Sequence, residues 1–345
     1  MWPMLAQMES IKMKSNMLTN SSRRQILKGL SATAAFTLAA PGILRAQGIR
    51  DLRIDFATYN PVSLLLKARG WVEEEFGRDG VDVTWVQSAG SNKALEFLSA
   101  NAIDFGSTAG SAALVGRING NPIKSIYSYS RPEWTALVTR SETGIGSVAD
   151  LAGRSVAVTR GTDPHIFLIR ALAEAGLSER DITPVLLQHG DGKTALIRGD
   201  VDAWAGLDPM MAAAELEDDA QLFYRDVEAN TFGILNVREE FLAEQPEVVS
   251  RVLNLYERAR THALENIDEL KAVTVEVTGL KPEVIDRQID QRTDLTLPRI
   301  SDPQRNSILA AGLALQEAGV IEKSVDVPGV VADLIDDRLA AAWQG

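Results

Sequence analysis

Two short segments combine glycine, small residues and hydroxyl groups in the order expected where a strand passes into a helix. The first is FGSTAGSAAL at 105–114, and the second is RGTDPHIFLIR at 160–170. In the second segment Asp163 is a natural N-cap, followed by a proline that suits the first helical position. The unpaired N–H groups of a helix N-terminus favour an anion, so we expect two anion-binding turns. The alternative is purely structural, because tight turns prefer glycine whatever they bind.

Other kinds of chemical site find no support in the sequence. GSTAGSAAL lacks the Gly-Lys-Ser/Thr of a phosphate loop and the G-x-G-x-x-G spacing of a dinucleotide fold. The chain has no cysteine, which excludes thiol nucleophiles and thiolate metal sites. Its three histidines, His165, His189 and His262, are scattered, so we expect no metal and no cofactor. His165 either faces a ligand or packs on its own sheet, and the other two are expected to be structural or solvated.

Aromatic and acidic side chains near strand ends are further candidates. Trp134, Trp204 and Phe232 fall at expected strand boundaries, where such residues either wall a pocket or pack in the core. Asp208 precedes a proline and is expected to cap a helix that follows a strand.

The elements that would position these residues alternate between strand and helix. Short apolar or alternating runs typical of strands are LRIDFATY, VDVTWVQ, RSVAVTR, ITPVLLQ and VDAWAGL. Helical periodicity marks PVSLLLKARGWVEEEF, SNKALEFLSANA, with Ser91 as its expected N-cap, and PHIFLIRALAEAG. This alternation predicts an α/β fold whose sheets are covered by helices on both faces.

Three details of this pattern are specific enough to test. Around the first glycine-rich segment we expect a strand at 102–105, a turn at 106–110 and a helix at 111–118. Beyond residue 231 we expect one strand and then helices at about 246–267, 281–291 and 302–319. LSANAIDFG and LIRGDVDAW share a leucine, four residues and then Ile/Val-Asp about one hundred residues apart, which suggests two α/β lobes of similar build.

Charge is unevenly distributed along the 345 residues. The formal net charge is −12, yet residues 1–46 hold six basic residues and a single acidic one. The acidic remainder lacks the Lys/Arg face that phosphate neutralisation requires, so we expect no nucleic-acid partner.

The basic N-terminal stretch SSRRQILKGLSATAAFTLAA resembles a twin-arginine export signal. We therefore expect residues 1–46 to be a signal peptide read by the twin-arginine translocation machinery, with cleavage after Ala46. The apolar run at 30–40 is about half the roughly 20 residues needed to span a bilayer. The mature protein is expected to be soluble in the periplasm.

Long ordered stretches resemble the periplasmic solute-binding proteins of ABC importers, and more narrowly the aliphatic-sulfonate, taurine and nitrate-type family. These stretches are YNPVSLLLKARGWVEEEF, GSNKALEFLSANAIDFGSTAGSAAL, SVADLAGRSVAVTRGTDPHIFLIRALAEAGL and DVDAWAGLDPMMAAAE. The resemblance implies a two-lobed periplasmic binding protein type II fold with a ligand cleft between the lobes. Lobe I would comprise 47–135 plus 232–345, and lobe II would comprise 136–231.

The resemblance also implies a ligand site and places it by position on this sequence. Thr108 and Thr162, with neighbouring backbone amides, would take the sulfonate oxygens, and the aromatic residues named above would wall the organic tail. Glu133 could select a ligand amine, which would favour taurine. The implied contacts are Tyr59, Asn60, Pro61, Ser88, Gly90, Ser107, Thr108, Ala109, Gly110, Ser111, Glu133, Trp134, Gly161, Thr162, Asp163, His165, Trp204, Asp208 and Phe232.

The function implied is binding rather than catalysis. A monomer would capture a small organic anion and deliver it to a membrane permease with its ATPase, as part of sulfur metabolism. The ligand alternatives are nitrate-like anions and a thiamine-type pyrimidine. A self-consuming enzyme of pyrimidine synthesis is a further alternative, but that branch resembles a cysteine-rich pattern that this chain lacks.

Overall fold

A computed structural model describes residues 48–339 of the chain. Its strands are β1 (Asp51–Phe56), β2 (Asp82–Gln87), β3 (Phe105–Ala109), β4 (Ile123–Pro132), β5 (Leu137–Thr139), β6 (Ser155–Val158), β7 (Thr183–Leu186), β8 (Ala203–Ala205), β9 (Gln221–Tyr224), β10 (Gly233–Arg238) and β11 (Thr293–Asp294). Its helices are α1 (Pro61–Ala68), α2 (Trp71–Gly77), α3 (Ser91–Ser99), α4 (Gly110–Ile118), α5 (Asp163–Glu174), α6 (His189–Arg198), α7 (Met210–Glu217), α8 (Glu239–Glu244), α9 (Pro246–Glu265), α10 (Ile267–Thr278), α11 (Pro282–Arg292), α12 (Asp302–Glu317) and α13 (Val327–Leu334). The expected export signal lies outside the described residues.

The strands form two separate sheets. The first has the order β11-β4-β10-β3-β1-β2, and the second has the order β7-β6-β8-β5-β9. In the first sheet β1 is parallel to β2 and β3, whereas β10 runs antiparallel between β3 and β4. The chain thus leaves the first sheet after β4, builds the second sheet, and returns through β10. The division into lobes at 135/136 and 231/232 stays a prediction.

Each sheet has its own apolar core. In the first, Leu52 and Ile54 of β1 are fully buried, together with every residue of β3. In the second, Val156 of β6 and Leu137 of β5 pack in one cluster against helix α5. Central strands covered on both faces bury nearly continuous apolar runs, which is why β3 tolerates only small or apolar residues there.

The structure corrects the expected turn at 106–110 and the strand at 102–105. Gly106 to Ala109 belong to β3, because β10 pairs with them in antiparallel register, with Gly233 opposite Ala109 and Ile234 opposite Thr108. Helix α4 then begins directly at Gly110. The partner strand is more than one hundred residues away in sequence, so local turn propensity was overridden by a tertiary pairing.

Two helix boundaries also differ from expectation. The single helix expected from residue 61 is broken into α1 and α2, because Gly70 adopts a left-handed conformation with φ of 63°. Ser91 is the first residue of α3 rather than its N-cap, which is Gly90. The Ser91 hydroxyl instead accepts a hydrogen bond from the Ala109 amide at 3.0 Å. Helices α8, α10 and α13 had not been anticipated.

Between residues 48 and 339, no helix is both long enough and apolar enough to cross a lipid bilayer.

Candidate functional site

Loops from both sheets converge on the carboxylate of Asp163, the first residue of α5. It accepts hydrogen bonds from Trp134 Nε1 at 2.8 Å, from the Thr231 amide at 3.0 Å, from the Thr231 hydroxyl at 2.8 Å and from the Ser111 hydroxyl. Trp134 and Thr231 lie in the two segments where the chain crosses between the sheets, and Ser111 lies in the first turn of α4. One side chain therefore ties both crossings and both glycine-rich segments together.

Burial controls the protonation of this carboxylate. Asp163 is 2% exposed, and its desolvation raises the pKa of the carboxyl above its usual range. The hydrogen bonds from Ser111, Trp134 and Thr231 favour the ionised form and oppose that rise. The four donors saturate the acceptor positions of the carboxylate.

A buried ion pair lies beside this junction. Arg292, at the end of α11, places Nη1 3.2 Å from both oxygens of Asp208 and Nη2 2.5 Å from Glu215. Asp208 follows β8 of the second sheet and also accepts from the Ala212 amide at 2.8 Å. Burial raises the pKa of Asp208 to about 6, although the Arg292 charge pulls in the opposite direction. The N-cap of α7 is Pro209 and not Asp208 as expected, but the Asp208 carboxylate still accepts from an amide of the first helical turn and also binds a guanidinium.

A small cavity lies beside Arg292, Asp208 and Trp134. Its volume is about 10 Å³, close to the roughly 10–15 Å³ that a single buried water needs and far too small for an organic solute. The rings of Tyr59 and Trp134 meet edge to face, with centroids 6.1 Å apart. The cavity is lined by Tyr59, Ser130, Pro132, Trp134, Asp208, Gln288, Arg292 and Thr293. An organic solute fits here only if the loops of the two sheets separate.

A hydrogen-bonded network supports the floor of this region. Ser107 donates from its amide and its hydroxyl to the two oxygens of Asp55, each at 2.8 Å. Asn60 Nδ2 donates to the Ser107 hydroxyl at 2.8 Å, and the Tyr59 hydroxyl donates to the Ser107 carbonyl at 3.0 Å. Burial raises the pKa of Asp55 to about 6, while the Ser107 donors oppose the shift. Tyr59 is thus held in place beside the cavity.

The starts of α3 and α6 face each other at another part of the interface. A Cβ atom on Gly90 would lie 2.8 Å from Asn92 Oδ1 and 3.0 Å from His189 Nε2. A Cβ atom on Gly161 would lie 3.7 Å from the Cβ of Asn92. Glycine at these positions therefore allows elements of the two sheets to approach closely. Burial lowers the pKa of His189 to about 3, so its imidazole is neutral.

The sequence matches the NMT1/THI5-like family over residues 64–270. This chain belongs to that family. A relative from Bacillus subtilis named "Putative aliphatic sulfonates-binding protein" is 27% identical over 313 residues, covering 88% of this chain and 94% of the relative.

Two solved structures of binding proteins resemble the fold of this chain. The alkanesulfonate-binding protein SsuA from Xanthomonas axonopodis pv. citri, bound to MOPS, matches with a TM-score of 0.75 and 25% identity, covering 84% of this chain and 98% of that protein. The periplasmic aliphatic sulphonate binding protein SsuA from Escherichia coli matches with a TM-score of 0.68 and 24% identity, covering 81% and 91%. The fold is the mixed α/β, two-sheet fold of periplasmic binding proteins, as the sequence predicted.

Several residues inferred from the family resemblance are engaged elsewhere. Thr108 lies inside β3, where its hydroxyl accepts from Asn236 Nδ2 at 2.8 Å, so it is not part of an open turn. The Thr162 hydroxyl donates to the Thr159 carbonyl at 2.6 Å. Trp204 is fully buried in the core of the second sheet, where Gly192 packs against its indole.

The remaining inferred residues have the following positions. Glu133 forms a two-pronged pair with Arg225 at 2.7 and 2.8 Å, which neutralises the carboxylate expected to select an amine. His165 Nε2 lies 3.0 Å from Glu179. Phe232 packs in an apolar cluster with Ile166 and Ile308. Pro61 begins α1, the Gly110 amide donates to the Phe232 carbonyl, and Ser88 is buried just after β2.

Sequence reasoning missed four residues that the fold brings to the interface between the two sheets. Arg292 and Gln288 come from α11, eighty or more residues beyond Asp208, and no motif surrounds them. Thr231 was passed over beside Phe232. His189 was expected to be structural or solvated, yet it lies at the contact between α3 and α6. A helix-face pattern in PEVIDRQIDQR could have flagged Gln288 and Arg292, since both lie on its buried side.

Proposed function

We propose that this protein is the extracytoplasmic solute-binding component of an ABC transporter, which captures an aliphatic sulfonate and delivers it to a membrane permease. The observation that carries the proposal is the Arg292 guanidinium, buried and lining the cavity between the two sheets. An arginine fork matches the geometry of a tetrahedral oxyanion and holds its charge at any physiological pH. The names of the relatives, an aliphatic sulfonates-binding protein and an alkanesulfonate-binding protein, support the same ligand class.

In the proposed binding step, the Arg292 guanidinium exchanges its hydrogen-bond partners. While the loops are in contact, the carboxylates of Asp208 and Glu215 satisfy the guanidinium. Separation of the sheets, by bending at the crossings near 133–136 and 225–232, would admit a solute whose sulfonate takes over part of that role. Desolvating a sulfonate is tolerable only where its oxygens find donors. Micromolar affinity corresponds to roughly 8 kcal/mol.

The organic tail of the ligand is proposed to contact the aromatic pair. Tyr59 and Trp134 both line the cavity, and hydrogen bonds to Ser107 and Asp163 fix their orientation. Preorganised aromatic rings offer apolar contact area with little loss of side-chain entropy on binding. Trp204 has no part in this proposal, because it lies in the core of the second sheet.

Isothermal titration calorimetry at neutral pH tests the proposal. We expect heat from ethanesulfonate, butanesulfonate or taurine at micromolar to submillimolar concentration, and weaker binding of sulfate and nitrate. Arg292→Lys keeps the charge but loses the fork, and should weaken sulfonate binding about tenfold. Arg287→Lys is the matched control, since Arg287 also pairs with Glu215, at 2.7 Å, but does not line the cavity. Absence of heat from every sulfonate, with binding of another solute class, refutes the proposal.

A further inference from the structure

The buried imidazole of His189 has a defined tautomer. Its Nδ1 lies 3.2 Å from the Thr159 hydroxyl oxygen, and that hydroxyl donates its single hydrogen to the Leu187 carbonyl at 2.7 Å. Because the Thr159 hydrogen is already used, His189 Nδ1 must be the donor of the pair. In the neutral ring, Nε2 therefore carries no hydrogen and can only accept a hydrogen bond. It has no hydrogen-bond partner among residues 48–339, although the residue is only 1% exposed.

One more buried acceptor lies beside it. Within the described part of the chain, Asn92 Oδ1 also has no hydrogen-bond partner. Asn92 Oδ1 and His189 Nε2 flank the same point, the Cβ position of Gly90. Asn92 also contacts the Gly161 position, two residues before Asp163, so these acceptors belong to the interface between the sheets. We call Asn92 Oδ1 and His189 Nε2 the acceptor cluster.

Buried polar atoms without partners are rare in folded proteins and are costly unless something supplies the missing bond. Both atoms of the acceptor cluster accept, so the group that satisfies them must donate.

We propose that the acceptor cluster receives a hydrogen-bond donor, an ammonium or a hydroxyl group, carried on the end of the ligand that lies away from its anionic head. This assignment rests on the proposed function and narrows its substrate class to amino- or hydroxyalkanesulfonates. The specificity-determining residue is His189, and not Glu133, whose carboxylate is already bound by Arg225.

Paired ligands measured by calorimetry test this proposal. Taurine and 2-hydroxyethanesulfonate carry a donor, and ethanesulfonate is the matched ligand without one. We expect the wild-type protein to prefer the donor-bearing ligands about ten- to a hundredfold, the range of one hydrogen bond to a buried group. His189→Leu should abolish the preference, and His189→Gln, which retains an acceptor, should restore part of it. His262→Gln, on α9, is the matched histidine control and should keep the preference.

A second pair, β-alanine and propanoate, separates this proposal from the proposed function. A His189-dependent preference among the sulfonates supports both claims. A preference seen only for β-alanine over propanoate supports the donor site and removes the sulfonate. If neither pair shows a preference, or if His189→Leu retains it while folded by circular dichroism, the acceptor cluster does not select the ligand and the inference is overturned.

Discussion

Removing the Asp163 carboxylate should reveal how much the junction between the sheets depends on hydrogen bonds rather than on charge. In Asp163→Ala, Trp134 Nε1–H and the Thr231 amide lose their acceptor in a buried setting. The hydroxyls of Thr231 and Ser111, 3.3 Å apart, can pair with each other. Two orphaned N–H groups at about 1–3 kcal/mol each predict a loss of about 2–6 kcal/mol in the free energy of unfolding.

Asp163→Asn should behave differently. Its amide oxygen can accept from the two N–H groups, while its NH₂ donates to the two hydroxyls, which reverse their roles. The substitution also removes a buried charge, so the change in stability should stay within about 1 kcal/mol. Both variants are measured by equilibrium unfolding in urea at pH 7, with Asp200→Ala, on an exposed turn, as the control expected within about 0.5 kcal/mol.

The comparison between the two variants distinguishes a stabilising role of the Asp163 hydrogen bonds from a role of its charge. Equal m-values are required, so that the midpoints report stability alone. If Asp163→Ala costs less than about 1 kcal/mol, the junction is not held as described. If Asp163→Asn costs as much as Asp163→Ala, the carboxylate acts through its charge, and the hydrogen-bond reasoning is refuted.

Three further predictions concern neighbouring buried groups. The pKa of Asp55 is about 6 in the folded protein and near 3.9 in the unfolded chain. Between these pH values the native state binds more protons than the unfolded state, so the free energy of unfolding falls by about 3 kcal/mol as the pH rises through them. Asp55→Asn should therefore gain stability relative to wild type between pH 4 and pH 7 in urea titrations, and an unchanged difference would contradict this. Arg292→Met should lower the free energy of unfolding by about 3–5 kcal/mol, because it leaves the Asp208 carboxylate buried without its cationic partner. Adding Asp208→Asn to this variant should restore at least about 1 kcal/mol of stability. If the effects of the two substitutions simply add, the ion pair does not contribute as described. Gly233→Ala should lower the free energy of unfolding by about 1–3 kcal/mol, measured by thermal unfolding, because its Cβ would clash with the buried Tyr129 ring. An unchanged stability would mean that the ring moves aside.

Local sequence signals predicted the start of the helix in the second glycine-rich segment to within one residue. The N-cap of α5 is Thr162 and not Asp163, which is the first helical residue and whose carboxylate instead accepts hydrogen bonds across the junction. The same reasoning failed at 106–110, because Gly106 to Ala109 are held as a strand by β10, which no local signal reveals. Propensity describes what a segment prefers alone, and here a long-range pairing decided the outcome.

The candidate site was harder to predict than the fold. Alternating strands and helices predict the two-sheet architecture because the pattern repeats along the chain. Arg292 reaches the junction from a helix far along the sequence, and His189 is defined as an acceptor only through Thr159 and Leu187. Such roles depend on which atoms meet in three dimensions, and residue types in order do not contain that information.

A crystal structure of the protein with 2-bromoethanesulfonate, read by the anomalous signal of bromine, would locate the bound organic anion. We expect the bromine between the two sheets, beside Tyr59 and Trp134, with the sulfonate within hydrogen-bonding distance of Arg292. A bromine on the outer surface, for example in the groove between α5 and residues 318–320, with Arg292 still bound only by Asp208 and Glu215, would contradict this expectation.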